Sequence, residues 1–187
     1  FYVSDSFKDT ILQDIKKSRL GTRGRYVYSC VNFIMLKMMV ENLMKSPMDQ
    51  LLRDDFYSGL GAWHTTYNPL KRMQIVPTEQ DGFVRRQLLR GYVHDEAAAF
   101  QGGVSGNAGL FSNANDLAKV LQLMLNQGTY GGERYLSLET SRLFTQSKSP
   151  TCRRGLGFDK PVIGNPKASP CGALAPASVY GHTGFTG

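Results

Sequence analysis

The segment Gly181-His182-Thr183-Gly184-Phe185-Thr186-Gly187 is the part of the sequence on which the fold prediction depends. It follows Val179 and Tyr180, whose β-branched and aromatic side chains are typical of a strand. Its glycines remove side chains from one edge, so that a ligand backbone could approach closely or add as a further strand. The imidazole and hydroxyls that remain suit a carboxylate or an oxyanion. A plain turn between strands is the alternative interpretation.

The composition is that of a globular protein. With 187 residues, of which 41% are hydrophobic, the chain is long enough to enclose a sizeable core. No run approaches the roughly 18 apolar residues that a membrane span needs, and no signal region opens the chain. We expect one partial domain over residues 1–187, truncated at both ends because the last segment is strand-like and uncapped.

The net charge of +7 does not by itself indicate nucleic-acid binding. The basic residues occur as scattered pairs, and no nucleic-acid-binding motif accompanies them. We therefore expect a solvated basic surface and no nucleic-acid partner. Attraction to an acidic polymer such as a cell wall stays open.

The cysteines do not have the spacing of a metal site. Cys30, Cys152 and Cys171 form no C-x-x-C pair and have no pair of histidines nearby, so no metal site is expected. Free thiols are the favoured interpretation. A disulfide between Cys152 and Cys171 in an oxidising compartment is the alternative.

Two helices are predicted near the start of the chain. Apolar residues at helical spacing indicate a short helix within residues 1–25: Phe7, Ile11, Leu12 and Ile15. A brief extended run over residues 26–29 leads into a second helix, from Val31 to about Lys45. That helix is apolar almost all round and is therefore predicted to be central and buried.

A third helix is predicted from capping residues. Ser46 is a good N-cap, Pro47 suits the first helical position, and Asp49 stands where a capping box needs it. We expect this helix to run to about Tyr57. Residues 62–93 show no sustained period, which indicates a long loop that is functional or covers a site.

The second half of the chain opens with a glycine-rich loop. Residues 102–109 contain four glycines, but neither the spacing nor the surroundings fit a phosphate-binding loop. A backbone that lies close to another group is the safer prediction. The residues 112–116 begin a helix that Gly128 ends, with a predicted buried stripe of Leu117, Val120, Leu121, Met124 and Leu125. A short helix follows from Ser137 to about Thr145, and residues 155–158 predict a strand.

Three stretches in order resemble a known superfamily: Tyr28-Ser29-Cys30 before a helix, residues 102–112, and His182-Thr183-Gly184. The sequence resembles the serine β-lactamases and penicillin-binding proteins, in the branch of class C β-lactamases, D-aminopeptidases, D-Ala-D-Ala carboxypeptidases and related esterases. The resemblance covers nearly the whole chain and rests on the order and spacing of the motifs. It implies an α/β (α+β type), β-lactamase/transpeptidase-like fold, with a helical subdomain and part of an antiparallel sheet flanked by helices.

The resemblance implies a serine hydrolase that cleaves amide or ester bonds through an acyl-enzyme. The nucleophile of that superfamily lies in a Ser-x-x-Lys motif, and no serine of this chain is followed three positions later by lysine. We therefore expect an internal fragment that is itself inactive because it lacks the nucleophile. Loss of catalysis in the whole protein is the alternative.

The resemblance also implies roles for the first motif. Tyr28 would activate the serine together with the missing lysine, and its phenol would need positive charge nearby to ionise. Cys30 stands where the family usually has Asn or another polar residue. Because a thiol is a weak hydrogen-bonding group, Cys30 favours ester or altered amide substrates, or a degenerate site. Cys30 as a nucleophile is a further alternative.

In the last motif, His182 replaces the commoner lysine. The resemblance implies that it binds a substrate carboxylate, and binding through an imidazolium should weaken as the pH rises. Thr183 would offer its hydroxyl to the same group, and the Phe185 N–H would be an oxyanion-hole donor. Three further residues are expected to contact substrate: Gly184, His94 and Asn107. For His94, a loop histidine bonded to Asp95 or to backbone is the alternative.

The resemblance implies no cofactor and a small-molecule or peptide-like substrate, including cell-wall fragments. The sequence around residues 94–112 is similar to that of domains fused to bacterial cell-wall glycosidases. The resemblance also implies a periplasmic or extracellular location. A non-catalytic module that binds peptidoglycan or its peptide is the alternative function, which Cys30 and the missing motif favour. Nucleic-acid binding is the third.

Overall fold

The computed structural model describes residues 7–24, 26–69, 74–147, 149 and 152–186. The chain divides into two compact units, Phe1–Lys119 and Val120–Gly187. The described residues contain both helices and antiparallel strands, which confirms the predicted mixed class; the strands form separate two-stranded pairs.

The helices of the described chain are α1 (Phe7–Lys17), α2 (Val31–Met44), α3 (Met48–Leu52), α4 (Glu96–Phe100), α5 (Ala114–Leu125) and α6 (Leu138–Thr145). The strands are β1 (Thr66–Tyr67), β2 (Glu79–Asp81), β3 (Gln87–Leu89), β4 (Leu110–Phe111), β5 (Thr129–Tyr130) and β6 (Glu133–Arg134). Strand β1 pairs with β4, β2 with β3, and β5 with β6.

Helices α1 and α2 confirm the first two predicted helices, but the predicted burial of α2 is wrong. Ile34 and Lys37 are its buried residues, whereas Met39 and Leu43 are 58% and 71% exposed. The described chain packs on one side of α2 only, so its all-round apolar character does not produce all-round burial. Residues 26–29 form no strand; they are irregular where described.

The corner between α2 and α3 uses a different cap from the predicted one. Pro47, not Ser46, is the N-cap of α3, and its side chain makes no capping bond. The carboxylate of Glu41 accepts the Met48 N–H at 3.0 Å instead, so a side chain of α2 caps the next helix. Since proline has no N–H, Asp49 cannot complete a capping box at this position. A π-helical segment, Arg53–Tyr57, continues α3 to the predicted end.

The glycine-rich loop lies directly against other backbone, as predicted. A Cβ atom on Gly106 would stand 2.0 Å from the Phe33 carbonyl oxygen of α2, and one on Gly109 would stand 2.2 Å from the Gly103 carbonyl oxygen. Side chains at these positions would collide with atoms that cannot move aside. The loop is thereby joined to α2 and leads into β4, which pairs with β1.

Residues 62–93 contain more structure than the predicted long loop. Strand β1 and the hairpin of β2 and β3 lie in this range. These strands are two and three residues long, too short to produce a visible period in the sequence. A covering role for this region stays a prediction.

Helix α5 is present with the predicted end at Gly128, but the predicted buried stripe is wrong in part. Leu117, Leu121 and Leu125 are exposed, whereas Asp116 and Leu123 are buried. The helix turns its Asp116 side inward because that carboxylate accepts the His64 N–H at 2.7 Å and pairs with Lys119 at 3.2 Å. Hydrophobic spacing alone does not detect an inward-facing acid.

In the second unit, α6 begins after the N-cap Ser137, as predicted. The strand predicted over residues 155–158 is wrong: Gly157 has a φ of +88°, and the Gly155 N–H bonds the Phe158 carbonyl in a turn. The predicted strand that runs into the last segment is reduced to an isolated antiparallel bridge between Asp159 and Gly181. Gly187 lies outside the described residues.

The close packing of Gly106 on α2 predicts a steep cost for any side chain there. We expect Gly106→Ala to destabilise the protein by about 1–3 kcal/mol or more, because the methyl group must displace the Phe33 carbonyl or the loop. Urea unfolding followed by circular dichroism measures the loss. Gly82→Ala is the matched control, since a Cβ atom on Gly82 meets nothing within 4 Å. Equal stability of the two variants would contradict the packing.

Candidate active site

The first predicted motif forms the entrance to α2. The Ser29 hydroxyl accepts the Val31 N–H at 3.2 Å and so caps the helix. Cys30 occupies the N-cap position without a side-chain capping bond, and its thiol is free and exposed. The residue Tyr28 is 54% exposed. The capping serine therefore presents its two neighbours at the surface of the first unit.

The glycine-rich loop places Asn107 beside the same helix. The Asn107 Oδ1 accepts the hydroxyl of the buried Ser105 at 2.7 Å, and the Ser105 carbonyl accepts the Tyr67 hydroxyl at 3.3 Å. Burial raises the pKa of Tyr67 well above its ordinary value, so this hydroxyl stays a donor. The Ser105 hydroxyl therefore orients the Asn107 side chain.

His94 is positioned by a buried ion pair. The Arg85 guanidinium bonds the Asp81 carboxylate at 2.5 Å and also donates to the carbonyls of Val93 and His94. That guanidinium bond lowers the pKa of Asp81 and, with the N–H groups of residues 83–85, outweighs the opposing effect of burial. The backbone at His94 is therefore fixed to the β2–β3 hairpin.

The last motif belongs to a charged cluster in the second unit. The His182 Nδ1 lies 2.6 Å from the Thr183 carbonyl oxygen, and its Nε2 lies 2.9 Å from Nη1 of Arg154. Arg154 also pairs with the Asp159 carboxylate at 3.0 Å. Arg153 donates two hydrogen bonds to the same carboxylate. Residues 182–186 are exposed.

Asp159 anchors this cluster. Burial favours its neutral form, but the Arg153 hydrogen bond, the Lys160 N–H and both guanidinium charges outweigh it, so that the pKa of Asp159 lies below its ordinary value. Its backbone forms the bridge to Gly181, with N–O distances of 2.7 and 3.1 Å. The carboxylate thus holds two arginines next to the H-T-G segment, which we define as residues 182–184.

The predicted site residues are divided between the two units. Four of them lie in the first unit: Tyr28, Cys30, His94 and Asn107. Four lie in the second: His182, Thr183, Gly184 and Phe185. Sequence reasoning treated Arg153 and Arg154 as one scattered basic pair and did not connect them with His182. The available signal for an ion-pair cluster was Asp159, a few residues downstream of the two arginines.

Two general features of the described residues bear on function. None of their helices combines the length and apolarity that crossing a bilayer requires. No group of three or more His, Cys, Asp or Glu side chains within this part of the chain could hold a metal ion.

Comparison with known proteins identifies the family. The family model described as Beta-lactamase matches residues 3–187. This chain belongs to the β-lactamase family. The match covers both units and all the motifs that suggested the resemblance.

Relatives of this β-lactamase-family chain share the same name. A protein of Escherichia coli K12 named "Putative D-alanyl-D-alanine carboxypeptidase" is 39% identical over 198 residues, covering 96% of this chain and 45% of the relative. A protein of the same name from Salmonella gallinarum is 38% identical with the same coverage. The chain thus spans about half the length of these relatives.

Solved structures share the β-lactamase-like fold. A structure titled as a "putative beta-lactamase" from Bacteroides dorei aligns with a TM-score of 0.57 at 16% identity, over 82% of this chain and 44% of that one. The octameric penicillin-binding protein homologue from Pyrococcus abyssi aligns with a TM-score of 0.56, also at 16% identity, over 84% of this chain and 36% of that one. At this identity the likeness establishes the fold alone.

The ion pair behind His94 predicts a specific pH dependence of stability. A lowered pKa means that ionised Asp81 stabilises the fold fully above its ordinary pKa of 3.8, and that this stabilisation is lost as the pH falls through the folded-state pKa. We therefore expect Asp81→Asn to be less stable than the wild type at pH 7, and the difference to shrink below about pH 4.

Unfolding in urea at a series of pH values measures this difference. Glu79→Gln is the control, because Glu79 lies on the same strand and changes charge equally but approaches Arg85 only to 3.9 Å with a partly exposed side chain. Its effect should be smaller at every pH. A difference for Asp81→Asn that stays constant down to pH 2 would contradict the assignment.

Proposed function

We propose that the protein to which this chain belongs is a serine hydrolase that cleaves amide or ester bonds through an acyl-enzyme. Membership of the β-lactamase family over residues 3–187 carries the proposal. The name of the 39%-identical relatives favours a D-Ala-D-Ala carboxypeptidase-like reaction on cell-wall peptides. The accessible surfaces of Tyr28 and of the H-T-G segment are consistent with it.

In this proposal Tyr28 helps to remove the proton of the serine nucleophile. An unactivated hydroxyl is a poor nucleophile and needs a base within hydrogen-bond reach. The nucleophile and its lysine lie outside these 187 residues, since none of their serines has lysine three positions later. The 187 residues alone are therefore proposed to be inactive.

Cys30 limits the substrates that the proposed site can take. Its exposed thiol follows Tyr28 by two positions, where a polar amide would bond substrate more strongly. We propose that the site tolerates ester or altered amide substrates better than β-lactams. Asn107 and His94, whose positions are fixed by Ser105 and Arg85, are proposed to contact substrate.

The H-T-G segment is proposed to bind the substrate carboxylate and the oxyanion. Thr183 offers a hydroxyl to the carboxylate, Gly184 lets the substrate approach closely, and the Phe185 N–H is an oxyanion-hole donor. Loss of one such donor typically costs about 3–4 kcal/mol of transition-state stabilisation. A periplasmic or extracellular location and fusion to a glycosidase belong to the same proposal.

A non-catalytic module that binds peptidoglycan or its peptide is the second candidate. The observation that favours it is Cys30 at a position where the family has a polar substrate ligand. Such a module would keep the H-T-G segment and lose turnover.

The proposal predicts that Tyr28→Phe in the complete protein slows acylation by a serine-directed fluorophosphonate by about 10²-fold or more, because a positioned general base contributes 10²–10⁴-fold. Intact mass over time measures the adduct. Tyr26→Phe is the matched control: Tyr26 is a similarly exposed tyrosine two positions earlier. We expect it to label at the wild-type rate.

The outcomes separate the two functions. A single serine adduct that depends on Tyr28 supports the hydrolase. A folded wild type that takes no adduct but binds cell-wall peptide supports the binding module. Equal labelling of Tyr28→Phe and Tyr26→Phe would remove Tyr28 from the mechanism.

A further inference from the structure

We infer that the loop of residues 160–180 in the second unit carries a binding site for a small, uncharged and largely apolar molecule. We call this segment the proline loop. It forms a pocket of about 310 Å³, and all the described residues that line the pocket lie within it. None of the proposed active-site residues is among them, so this site goes beyond the proposed function and does not depend on it.

The two ends of the proline loop are joined to each other. Asp159, just before the loop, and Gly181, just after it, form an antiparallel bridge with N–O distances of 2.7 and 3.1 Å. The rings of Phe158 and Tyr180 meet edge to face with their centroids 5.2 Å apart. The Tyr180 hydroxyl also donates to the Met124 carbonyl at 2.9 Å. Compact loops whose ends meet in this way frequently carry function.

The interior of the proline loop is restrained as well. Four of the chain's eight prolines lie within residues 161–176, and each proline ring fixes one backbone dihedral. The Ala175 N–H closes a turn on the Gly172 carbonyl at 3.1 Å. The Ser169 hydroxyl accepts the Val162 N–H at 3.3 Å and so joins two parts of the lining. A pocket restrained in this way is largely formed before a ligand arrives, which lowers the entropic cost of binding.

The lining determines which kind of molecule fits the pocket. Its walls are mainly aliphatic side chains and proline rings, supplied by Pro161, Val162, Ile163, Ala173, Ala175 and Pro176. The described lining residues include no charged side chain, so an ion would lose its hydration there without a compensating partner. The Ser169 hydroxyl offers a hydrogen bond to one polar group. The pocket therefore favours an uncharged molecule with an apolar ring or chain.

The volume of the pocket limits the size of this molecule. Because a water molecule takes up about 30 Å³ of the liquid, a pocket of about 310 Å³ corresponds to roughly ten non-hydrogen atoms. A compound of one or two rings has this size. Ile163 is 66% exposed at the rim, so the pocket is open to solvent and a ligand can enter it.

Titration of the complete protein with indole and with cyclohexanol, followed by NMR of its methyl groups, tests this site. The methyl groups of Val162, Ile163 and the lining alanines are the reporters. We expect their signals to shift and saturate with a Kd of about 0.1–1 mM, a weak affinity typical of very small ligands. Benzoate, a ring of similar size that carries a charge, should leave them unchanged at pH 7. Reporters that ignore both uncharged probes, or that respond equally to benzoate, would overturn the inference.

Substitutions in the lining distinguish the pocket from other apolar surface. Ala175→Phe adds a ring to the lining and should weaken indole binding by about tenfold or more, because the ring occupies space that the ligand needs. Ala168→Phe is the matched control: Ala168 lies in the same loop, is exposed and is not among the described lining residues. It should bind indole as the wild type does.

A second variant keeps the test valid if Ala175→Phe does not fold, as judged by circular dichroism. Ala173→Phe also adds a ring to the lining, at an exposed position where a larger side chain is tolerated more easily. It should weaken indole binding in the same way. The same Kd for the lining variants and for Ala168→Phe would reject the pocket as the site of binding.

The proposed function can fail separately. A protein that binds indole in the proline loop but takes no fluorophosphonate adduct would reject the hydrolase and leave this site standing. An adduct that depends on Tyr28, together with lining methyl groups that ignore both uncharged probes, would do the reverse.

Discussion

The absence of a side chain at Gly106 is the constraint on which the first unit depends. Only a bare backbone can lie on the Phe33 carbonyl of α2, and this contact determines where residues 102–109 run. Ser105 is buried by the same approach and bonds Asn107 on one side and the Tyr67 hydroxyl on the other. Tyr67 lies in β1, which pairs with β4 at the end of the loop. Helix, loop and strand pair are therefore linked through one close contact.

Buried carboxylates also link separate segments of the chain where regular structure is sparse. Asp81 holds the hairpin of β2 and β3 to the segment before α4, Asp116 holds α5 to the backbone at His64, and Asp159 holds its arginines beside Gly181. Each accepts at least one backbone N–H group and pairs with a cation, so the desolvation of the charge is offset locally. For Asp116, burial opposes ionisation, but the His64 N–H and Lys119 outweigh it, and the pKa lies below its ordinary value. Strands of two or three residues suffice because these acids join distant backbone.

The sequence was informative wherever one short stretch determines the outcome. The start of α6 at Ser137, the end of α5 at Gly128 and the close approach of residues 102–109 follow from local capping and glycine geometry, and all three are confirmed. The motif order led to the family that the comparison shows. Burial was less predictable, since it depends on what packs against an element. Helix α2 is apolar all round but covered on one side, and α5 turns inward at Asp116 and leaves Leu121 exposed.

In the candidate site, too, the sequence predicts the residue types but not the contacts that depend on packing. The types of Tyr28 and His182 were readable from their motifs, but the hydrogen-bond partners of an imidazole depend on the atoms that the fold places opposite its nitrogens. For His182 one such atom belongs to Arg154, which is distant in sequence and brought close by the bridge at Asp159. The surroundings of His182 therefore include a contact that its own motif does not contain. The Arg154 guanidinium lies against the His182 ring because Asp159 binds that arginine through its carboxylate and Gly181 through its backbone.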